Sequence, residues 1–288
     1  MQIKNTFVPN DIKELASCVS LDDLADNSHI ILSISPCRSG STAIMRAFGA
    51  MGIDSHLQPL KNLLRWHSLE VKHHWQPYGG TTKPIYIKET LGPFSQAEVQ
   101  FNPLELLLAT GISVERLSLL VIGRLPLETW ASWQYWWPER TNAELLIKAY
   151  QQTENIRQQA QLLGVETTTM IYDAFRDYPV DMLIQRLCHR LGINYYSKAV
   201  EGWHQLPRFG EKQSNIFIPQ MPEVFATQHI RHRVEEATGL SYYSRANEVG
   251  QLNKTDITRI EQAGVPEIYN HWRQLCEMEL GLTITSSS

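Results

Sequence analysis

The chain has 288 residues, of which 43% are hydrophobic and 19% are charged, and its formal net charge is −4. This composition is typical of a globular protein and excludes a disordered or fibrous chain. The slightly acidic balance gives no reason to expect a nucleic acid or an anionic membrane as partner, since both attract basic proteins. An anionic small ligand stays compatible with it, because such a ligand needs only a few well-placed cations.

The cysteines are widely spaced and form no Cys-x-x-Cys pair, which disfavours a disulfide scaffold or a cysteine-rich zinc site. They are Cys18, Cys37, Cys188 and Cys276. The first ten residues lack an apolar core of signal-peptide length. The longest apolar stretch, 104–122, is interrupted by charged residues and does not match a membrane span. We therefore expect a cytoplasmic protein without membrane segments.

Strand and helix patterns alternate in the first half of the chain. An apolar, β-branched run predicts a strand over 29–35, and apolar residues at helical spacing predict a helix over 41–51. Further strands are predicted over 84–88 and over 117–122. The last of these is apolar enough to be buried on both faces.

The second half continues the alternation. A capping-box spacing at Thr141 and Glu144 predicts the start of a long helix that Gly164 ends. A β-branched run predicts a strand over 167–172, and a helix follows over 180–191. Two further helices are predicted over 222–237 and over 266–280, and 203–219 fits neither pattern. Together the elements predict an α/β fold with a central parallel sheet flanked by helices.

We expect the whole chain to form one domain, with its binding motifs within 30–193 and a helical and lid region over 194–285. The most informative segment joins the first strand to the first helix, and it reads Ser-Pro-Cys-Arg-Ser-Gly-Ser-Thr over 35–42. A strand-to-helix loop exposes backbone N–H groups at the positive end of the helix dipole, where a phosphate binds. Arg38 adds a charged, bidentate donor, and Gly40 allows the backbone to approach the phosphate oxygens closely. Ser39, Ser41 and Thr42 add hydroxyl donors.

The nucleotide-binding loop G-x-x-x-x-G-K-[ST] is the nearest alternative to this interpretation. Here Ser35 replaces the first glycine, and Ser41 stands where the lysine belongs. That lysine reaches the β- and γ-phosphates, so its absence counts against ATP or GTP chemistry. The nearest candidate for a magnesium-binding carboxylate at a strand end is Asp173. A magnesium-dependent phosphotransferase that uses ATP stays an alternative.

A second anion-binding element follows the strand over 117–122. Arg124 comes directly after the strand, at the edge where parallel sheets bind ligands. Ser132 lies eight residues further on, in the first turns of a predicted helix. Together these two residues are candidates for binding a second phosphate group.

Three stretches together resemble the sulfotransferase family that uses 3′-phosphoadenosine 5′-phosphosulfate (PAPS). Residues 35–42 resemble the family's 5′-phosphosulfate loop, and 123–132 resemble its 3′-phosphate motif. Residues 171–175, with the later Leu-Gly-Ile over 191–193, resemble its Tyr-Glu-Asp-Leu strand and Phe-Leu-Gly helix. The resemblance, in order and spacing, covers 31–193. It implies metal-independent transfer of a sulfuryl group from PAPS to a hydroxyl or amine of a small-molecule acceptor, with PAP as product. Secondary metabolism is the setting that we expect from the size of the chain and the absence of a targeting pattern.

The resemblance also implies roles for individual residues. Arg38 would neutralise the 5′-phosphate and the oxygen that leaves the sulfur. The backbone N–H groups of 39–42, with the Ser41 and Thr42 hydroxyls, would hold the phosphosulfate. Arg124 and Ser132 would hold the 3′-phosphate. The family's adenine-stacking tryptophan has no counterpart, and its late Arg-Lys-Gly element has only a weak one at 208–212.

In the family the general base often comes just after the second strand. Glu89 is our candidate for that base, and Lys88 is the candidate that stabilises the transferring group. Members of the family with a histidine nearby differ from this sequence. His67, His73 and His74 lie between the first two predicted strands, where one of them is an alternative base and exposed loop histidines are the usual explanation. A Lys88–Glu89 ion pair without a catalytic role is a further alternative.

For two other clusters of residues, the sequence favours a structural role over a ligand-binding role. His229 and His232, with Glu235 or Glu236 on the same predicted helix, have a spacing that suits a metal, but interleaved arginines favour a solvated helix face, and we expect no metal. Trp130, Trp133 and Trp137 share one helical face, which favours core packing. A member of the family that binds nucleotide without catalysis is the third functional hypothesis.

Overall fold

Six parallel strands form the centre of the fold in the computed structural model, which describes residues 9–77, 84–225 and 232–284. The strands are β1 (Ile30–Ile34), β2 (Ser55–Leu57), β3 (Ile85–Lys88), β4 (Leu117–Gly123), β5 (Glu166–Ile171) and β6 (Ile216–Phe217). Their order in the sheet is β5-β4-β1-β3-β2-β6. Every pair of neighbours is parallel. The predicted α/β class with a central parallel sheet is therefore confirmed.

Helices cover both faces of this sheet. They are α1 (Pro9–Ala16), α2 (Ser41–Ala50), α3 (Pro59–His67), α4 (Gln96–Gln100), α5 (Pro103–Ala109), α6 (Pro126–Trp136), α7 (Ala143–Leu162), α8 (Ala174–Asp177), α9 (Val180–Arg190), α10 (His232–Glu235), α11 (Ala246–Val249), α12 (Lys254–Gln262) and α13 (Val265–Leu280). Short 3₁₀ turns lie at Val114–Arg116, Ser197–Ala199, Trp203–Gln205 and Glu223–Phe225. In the part of the chain that the structure describes, no helix is both long enough and apolar enough to cross a membrane.

The central strands are buried along their whole length because helices cover both sides of the sheet. All residues of β1 and β4 are buried, which explains why these strands are mostly apolar, with Ser33 and Ser118 as exceptions, rather than alternating. In the register, Ile31 lies beside Tyr86 of β3 on one side and Ser118 of β4 on the other. The carboxyl ends of β1, β3 and β4 therefore meet at one edge of the sheet.

Two strands escaped prediction. β2 has three residues and β6 has two, so neither offers enough residues for a periodicity to be visible. β6 pairs with β2 and extends the sheet by one strand, and it lies within 203–219, which the sequence left unassigned. The four predicted strands, over 29–35, 84–88, 117–122 and 167–172, are confirmed.

The predicted helices are confirmed with two exceptions. The long helix α7 begins at Ala143, and its cap is Asn142, whose side chain accepts a hydrogen bond from the Leu145 amide at 2.9 Å. The predicted cap at Thr141 is wrong, because the Thr141 hydroxyl donates to the Trp137 carbonyl instead. Of the helix predicted over 222–237, the described residues form only a 3₁₀ turn and α10. Residues 226–231, which include His229 of the candidate metal cluster, lie outside the described residues.

The tryptophans of α6 lie in the core as predicted. Trp130 and Trp133 are fully buried, and Trp137 is 8% exposed. α13 packs against β5, α6 and α7, and its Trp272 stacks on Tyr150 with 5.4 Å between ring centroids. These aromatic residues fix the helices that follow β4 and β5, and so fix the edge at which the candidate site lies.

Candidate functional site

A cavity opens at the carboxyl ends of β1, β3 and β4. Its wall includes Arg38, Gly40, Ser41 and Thr42 of the loop after β1, which brings most of the predicted phosphate loop to one place. Lys88 at the end of β3 and Arg124 after β4 line the same cavity. This edge of a parallel sheet is where ligands of such folds bind.

Side-chain donors hold three successive carbonyl groups of the loop after β1. The Ser39 hydroxyl donates to the Pro36 carbonyl at 2.8 Å, and the Trp133 indole donates to the Cys37 carbonyl at 2.7 Å. Arg124 Nη1 donates to the Arg38 carbonyl at 3.3 Å. In a trans peptide the N–H points opposite to the C=O. The clamped carbonyls therefore fix the direction of the Arg38 and Ser39 amides.

The first turn of α2 adds further N–H groups beside this loop. The helix begins at Ser41, and its cap Gly40 has φ +84° with no side-chain cap. The first amides of a helix lack an intrahelical acceptor, so they are available to an anion. Gly40 is also required by packing, because a Cβ there would overlap the Tyr172 ring.

Arg38 adopts an unusual backbone conformation, with φ +74°. Such a conformation costs about 1–3 kcal/mol for a residue with a Cβ, and it persists where the surroundings impose it. Here the Arg38 Nε donates to the Ser132 hydroxyl at 3.0 Å, and its guanidinium lies over the Trp136 ring at 5.5 Å. Ser132 is fully buried and is not among the described residues that line the cavity. Its observed contact orients Arg38.

Arg124 is buried, and its guanidinium donates hydrogen bonds to three separate parts of the chain. Besides the Arg38 carbonyl, it donates through Nη2 to the Glu128 carboxylate and to the Tyr243 carbonyl, both at 2.7 Å. Its guanidinium lies over the Tyr172 ring at 5.1 Å. Arg124 Nε is buried without a hydrogen-bond partner among the described residues. One arginine thus joins the phosphate loop to a segment more than a hundred residues away.

That distant segment, 241–245, lies against the loop after β5. The Tyr172 hydroxyl donates to the Ser241 carbonyl and accepts from the Tyr243 amide, each at 3.0 Å. The Arg245 amide donates to Glu128 at 2.8 Å. Tyr243 lines the cavity, whereas none of the residues 203–219 does. Sequence reasoning missed this segment, because its contacts with β4 and β5 are all long-range.

Asp173 supports this arrangement from behind the cavity wall. Its carboxylate accepts from the Leu125 amide at 2.8 Å and from the Tyr269 hydroxyl at 3.0 Å. Burial raises the pKa of Asp173 to about 6, although Arg124 opposes the shift. Asp173 is not among the described residues that line the cavity. Its oxygen atoms are therefore engaged in structure, away from the position of a magnesium ligand.

Lys88 and Glu89 point to opposite sides, as neighbouring residues of an extended chain do. Lys88 and Thr90 line the cavity, and Glu89 is absent from the lining. Burial lowers the pKa of Lys88 to about 8, and Lys61 and Arg38 add to this shift. No hydrogen bond or ion pair of the Lys88 ammonium is found within the described ranges. The Lys88 ammonium therefore lines the cavity, and its N–H donors make no hydrogen bond to the described residues.

Glu89 instead caps α3. Its carboxylate accepts from the amides of Leu60 at 2.8 Å and Lys61 at 3.3 Å, in the first turn of that helix. Glu89 is fully buried, and burial raises its pKa to about 7. A pKa near 7 suits a general base. The geometry does not bring this carboxylate to the cavity wall, so the role of base stays a prediction.

Two further cations of α3 line the cavity, and sequence reasoning missed both. Lys61 and Arg65 are four residues apart and face the cavity from one side of the helix. They share the buried carboxylate of Glu98, with Arg65 Nε 2.8 Å and Lys61 Nζ 3.4 Å from its oxygen atoms. Burial acts to raise the pKa of Glu98, but Arg65 and Lys61 outweigh it and hold that pKa below its ordinary value.

The remaining candidates lie away from the cavity. His67 lies beside Asp11, with 3.4 Å between Nε2 and Oδ1, and His73 stacks on Trp66. Neither these histidines nor His74 is among the described lining residues. The same holds for 208–212, where the Arg208 amide binds the carboxylate of Glu211. The alternative bases and the weak 3′-phosphate element are therefore not brought to the site.

Comparison of the chain with family models, with curated proteins and with solved structures finds no match in any of the three. The relation to PAPS-dependent sulfotransferases stays a prediction that depends on the three sequence stretches and on the chemistry of the cavity.

Proposed function

We propose that this protein is a sulfotransferase that moves a sulfuryl group from PAPS to a hydroxyl or amine of a small-molecule acceptor. The observation that carries the proposal is the charge of the cavity wall. Arg38, Lys61, Arg65, Lys88 and Arg124 line it, and no carboxylate does so among the described residues. Arg38, Lys88 and Arg124, at the ends of β1, β3 and β4, suit a ligand with several anionic groups, and PAPS carries a phosphosulfate and a 3′-phosphate.

The loop after β1 supplies the groups that a phosphosulfate requires. Amides fixed by clamped carbonyls and the free N–H groups of α2 bind oxygen atoms without reorganisation, which favours a transition state with charge on those atoms. Arg38 is held by Ser132 and adds a fixed positive charge. We assign Arg38 to the 5′-phosphate, where negative charge grows as the sulfur–oxygen bond breaks.

The transfer itself needs an in-line arrangement of acceptor, sulfur and leaving oxygen. The acceptor oxygen or nitrogen forms a bond to sulfur, the bond from sulfur to the 5′-phosphate oxygen breaks, and that oxygen keeps the electron pair. Lys88 is positioned to stabilise the sulfuryl oxygen atoms, since it lines the cavity with uncommitted donors. The acceptor's proton goes to a base. Glu89 serves this proposal better as the cap that positions α3, because its two amide contacts lie away from the cavity.

A magnesium-dependent phosphotransferase that uses ATP is the second candidate, and the site favours it less. Magnesium in such enzymes is bound through one or two carboxylates together with the substrate phosphates. Asp173 is the carboxylate that the sequence offered, and its oxygen atoms accept hydrogen bonds from Leu125 and Tyr269. A protein that binds PAP without catalysing transfer is the third candidate, and an acceptor screen separates it from the first.

Calorimetric titration of PAP without divalent metal tests the proposal, with ATP and magnesium as the comparison. We expect PAP to bind tightly and ATP to bind much more weakly. Arg38→Ala should weaken PAP binding about tenfold or more, since it removes a charge-assisted contact to phosphate. Arg140→Ala is the matched control, because Arg140 is exposed and outside the cavity wall. Magnesium-dependent ATP binding without PAP binding would overturn the proposal.

A further inference from the structure

The side of the cavity formed by α3 is cationic and aromatic. Lys61 and Arg65 line it together with Phe94, Trp137 and Met221. We propose that this side is an acceptor subsite, and that the acceptor carries an anionic group, such as a carboxylate, attached to an aromatic ring. The inference deepens the proposed sulfotransferase function and depends on it.

Two cations and two carboxylates lie on this side of the cavity, and only one of the two carboxylates has a lowered pKa. Lys61 and Arg65 share the single carboxylate of Glu98. Glu89 faces Lys61 from the sheet, and burial keeps part of its population protonated near pH 7 by raising its pKa to about 7. Both carboxylates lie behind the wall rather than on it. The charge that a ligand meets in the cavity is therefore positive.

Buried charge in excess of its partners is costly, so it indicates a group that a ligand neutralises. Lys61 is fully buried, and its ammonium already contacts the Glu98 carboxylate, the Thr90 hydroxyl and the Gly92 carbonyl. Arg65 is 4% exposed and is the cation that still has a donor without a partner among the described residues. Arg65 uses Nε for Glu98 and Nη1 for the Met221 sulfur, a weak acceptor, at 3.2 Å. Nη2 of Arg65 has no hydrogen bond within the described ranges. A carboxylate of the acceptor would satisfy it.

Position separates this subsite from the phosphosulfate loop. At this edge of the sheet, β3 lies between β1 and β2. Arg38 follows β1, Lys88 ends β3, and α3 with Lys61 and Arg65 follows β2, so Lys88 lies between Arg38 and the cations of α3 along the wall. An acceptor with its anionic group at Lys61 and Arg65 directs its nucleophile toward Lys88. The in-line transfer needs the nucleophile there.

The aromatic component comes from Phe94. Its ring meets Trp137 edge to face, with centroids 5.3 Å apart. The Arg65 guanidinium lies 5.8 Å from the Phe94 centroid. An aromatic ring of the acceptor gains from packing on this pair beyond its buried area. The same side that binds the anion therefore also accommodates a ring.

Binding to the wild-type protein tests the inference directly. Calorimetry is carried out on the PAP-bound protein with 4-hydroxybenzoate, with its methyl ester and with the cationic phenol tyramine. We expect 4-hydroxybenzoate to bind about tenfold or more tightly than either of the others, which corresponds to one charge-assisted interaction. Phenyl phosphate distinguishes a carboxylate preference from a general preference for anions. Equal binding of the acid and the ester would overturn the inference while leaving the proposed function intact.

A pair of variants links the effect to the subsite. Arg65→Gln should weaken 4-hydroxybenzoate about tenfold and leave the methyl ester and PAP within about threefold. Arg140→Gln is the matched control, because Arg140 also lies over Phe94, at 4.0 Å from its centroid, but is outside the cavity wall. Equal losses of acid binding in both variants would overturn the assignment. If Arg65→Gln does not fold, Lys61→Met and the wild-type comparison decide the same question. Failure of PAP to bind to the wild type would remove the proposed function and this inference together.

Discussion

Arg38 and Ser132 are 94 positions apart in the chain, and their side chains meet at 3.0 Å between Nε and Oγ. The sequence pattern offered both residues as phosphate ligands. In the structure only Arg38 lines the cavity, and Ser132 accepts a hydrogen bond from it. A buried hydroxyl that orients a cavity arginine acts on ligand affinity through that arginine. This relationship makes the two residues interdependent.

Ser132→Ala should therefore weaken PAP binding by about three- to tenfold, because the loss of one hydrogen bond is worth about 0.5–1.5 kcal/mol. In an Arg38→Ala background the same substitution should change PAP affinity little, since the arginine that it orients is gone. A calorimetric double-mutant cycle measures this coupling. Additive losses would show that Ser132 contacts the ligand directly and that the positioning role is wrong.

Gly40 provides a second test of the phosphate loop. Gly40→Ala should destabilise the protein and abolish PAP binding, because φ is +84° and a Cβ would overlap the Tyr172 ring. Gly111→Ala is the matched control, since φ there is +89° and nothing lies within 4 Å of the added Cβ. The control should cost only the left-handed strain of about 1–2 kcal/mol. Thermal unfolding and PAP titration of both variants separate strain from overlap, and equal effects would contradict the packing argument.

The sequence was most informative where local patterns decide the structure. Mostly apolar runs predicted β1 and β4, since a strand covered on both faces has no reason to alternate. The strand–loop–helix around 35–42 was also recognisable from its glycine and hydroxyl residues, and its phosphate-binding role stays a prediction. β2 escaped because Ser55 and His56 are polar and the strand has only three residues.

The parts of the site that sequence reasoning missed depend on tertiary contacts. Lys61 and Arg65 have the spacing of an exposed charged face, and only the packing of Glu98 against them shows that they are buried. Glu89 was proposed as the base because it follows the second predicted strand, and the sequence alone does not show which of two neighbouring residues faces the cavity. Segment 241–245 became visible only through its hydrogen bonds to Tyr172 and Glu128.

The pKa of Lys88 predicts how anion binding depends on pH. Since burial lowers that pKa to about 8 in the free protein, the ammonium loses its proton as the pH rises past 8. A bound anion favours the charged form, so PAP affinity should fall between pH 8 and 10, by up to about tenfold per pH unit. The phosphate groups of PAP are essentially fully ionised above about pH 7, and they do not contribute to this fall.

Two variants identify Lys88 as the origin of that pH dependence. Lys88→Arg keeps its charge across the range and should bind PAP with nearly constant affinity, whereas Lys88→Met should bind weakly at every pH. The Cys37 thiol also lines the cavity, so the profile is repeated in a Cys37→Ser background. An unchanged decline in Lys88→Arg would assign the pH dependence to another group.

The raised pKa of Glu89 predicts how the stability of the fold depends on pH. Its pKa is raised by burial to about 7 in the folded protein, compared with about 4.3 in an unfolded chain. Between those values the folded state binds more protons than the unfolded state, so the contribution of Glu89 to stability is complete at low pH and is lost as the pH rises through 7.

Glu89→Gln removes this titration and keeps an acceptor for the Leu60 amide. The free energy of unfolding of the wild type, relative to the variant, should therefore fall between pH 4.5 and 7.5, by at most about 3 kcal/mol. Urea unfolding of both proteins across this range measures the difference. A difference that instead grows with pH would mean that the folded state holds Glu89 ionised, with a pKa below its ordinary value, and that burial does not dominate its titration.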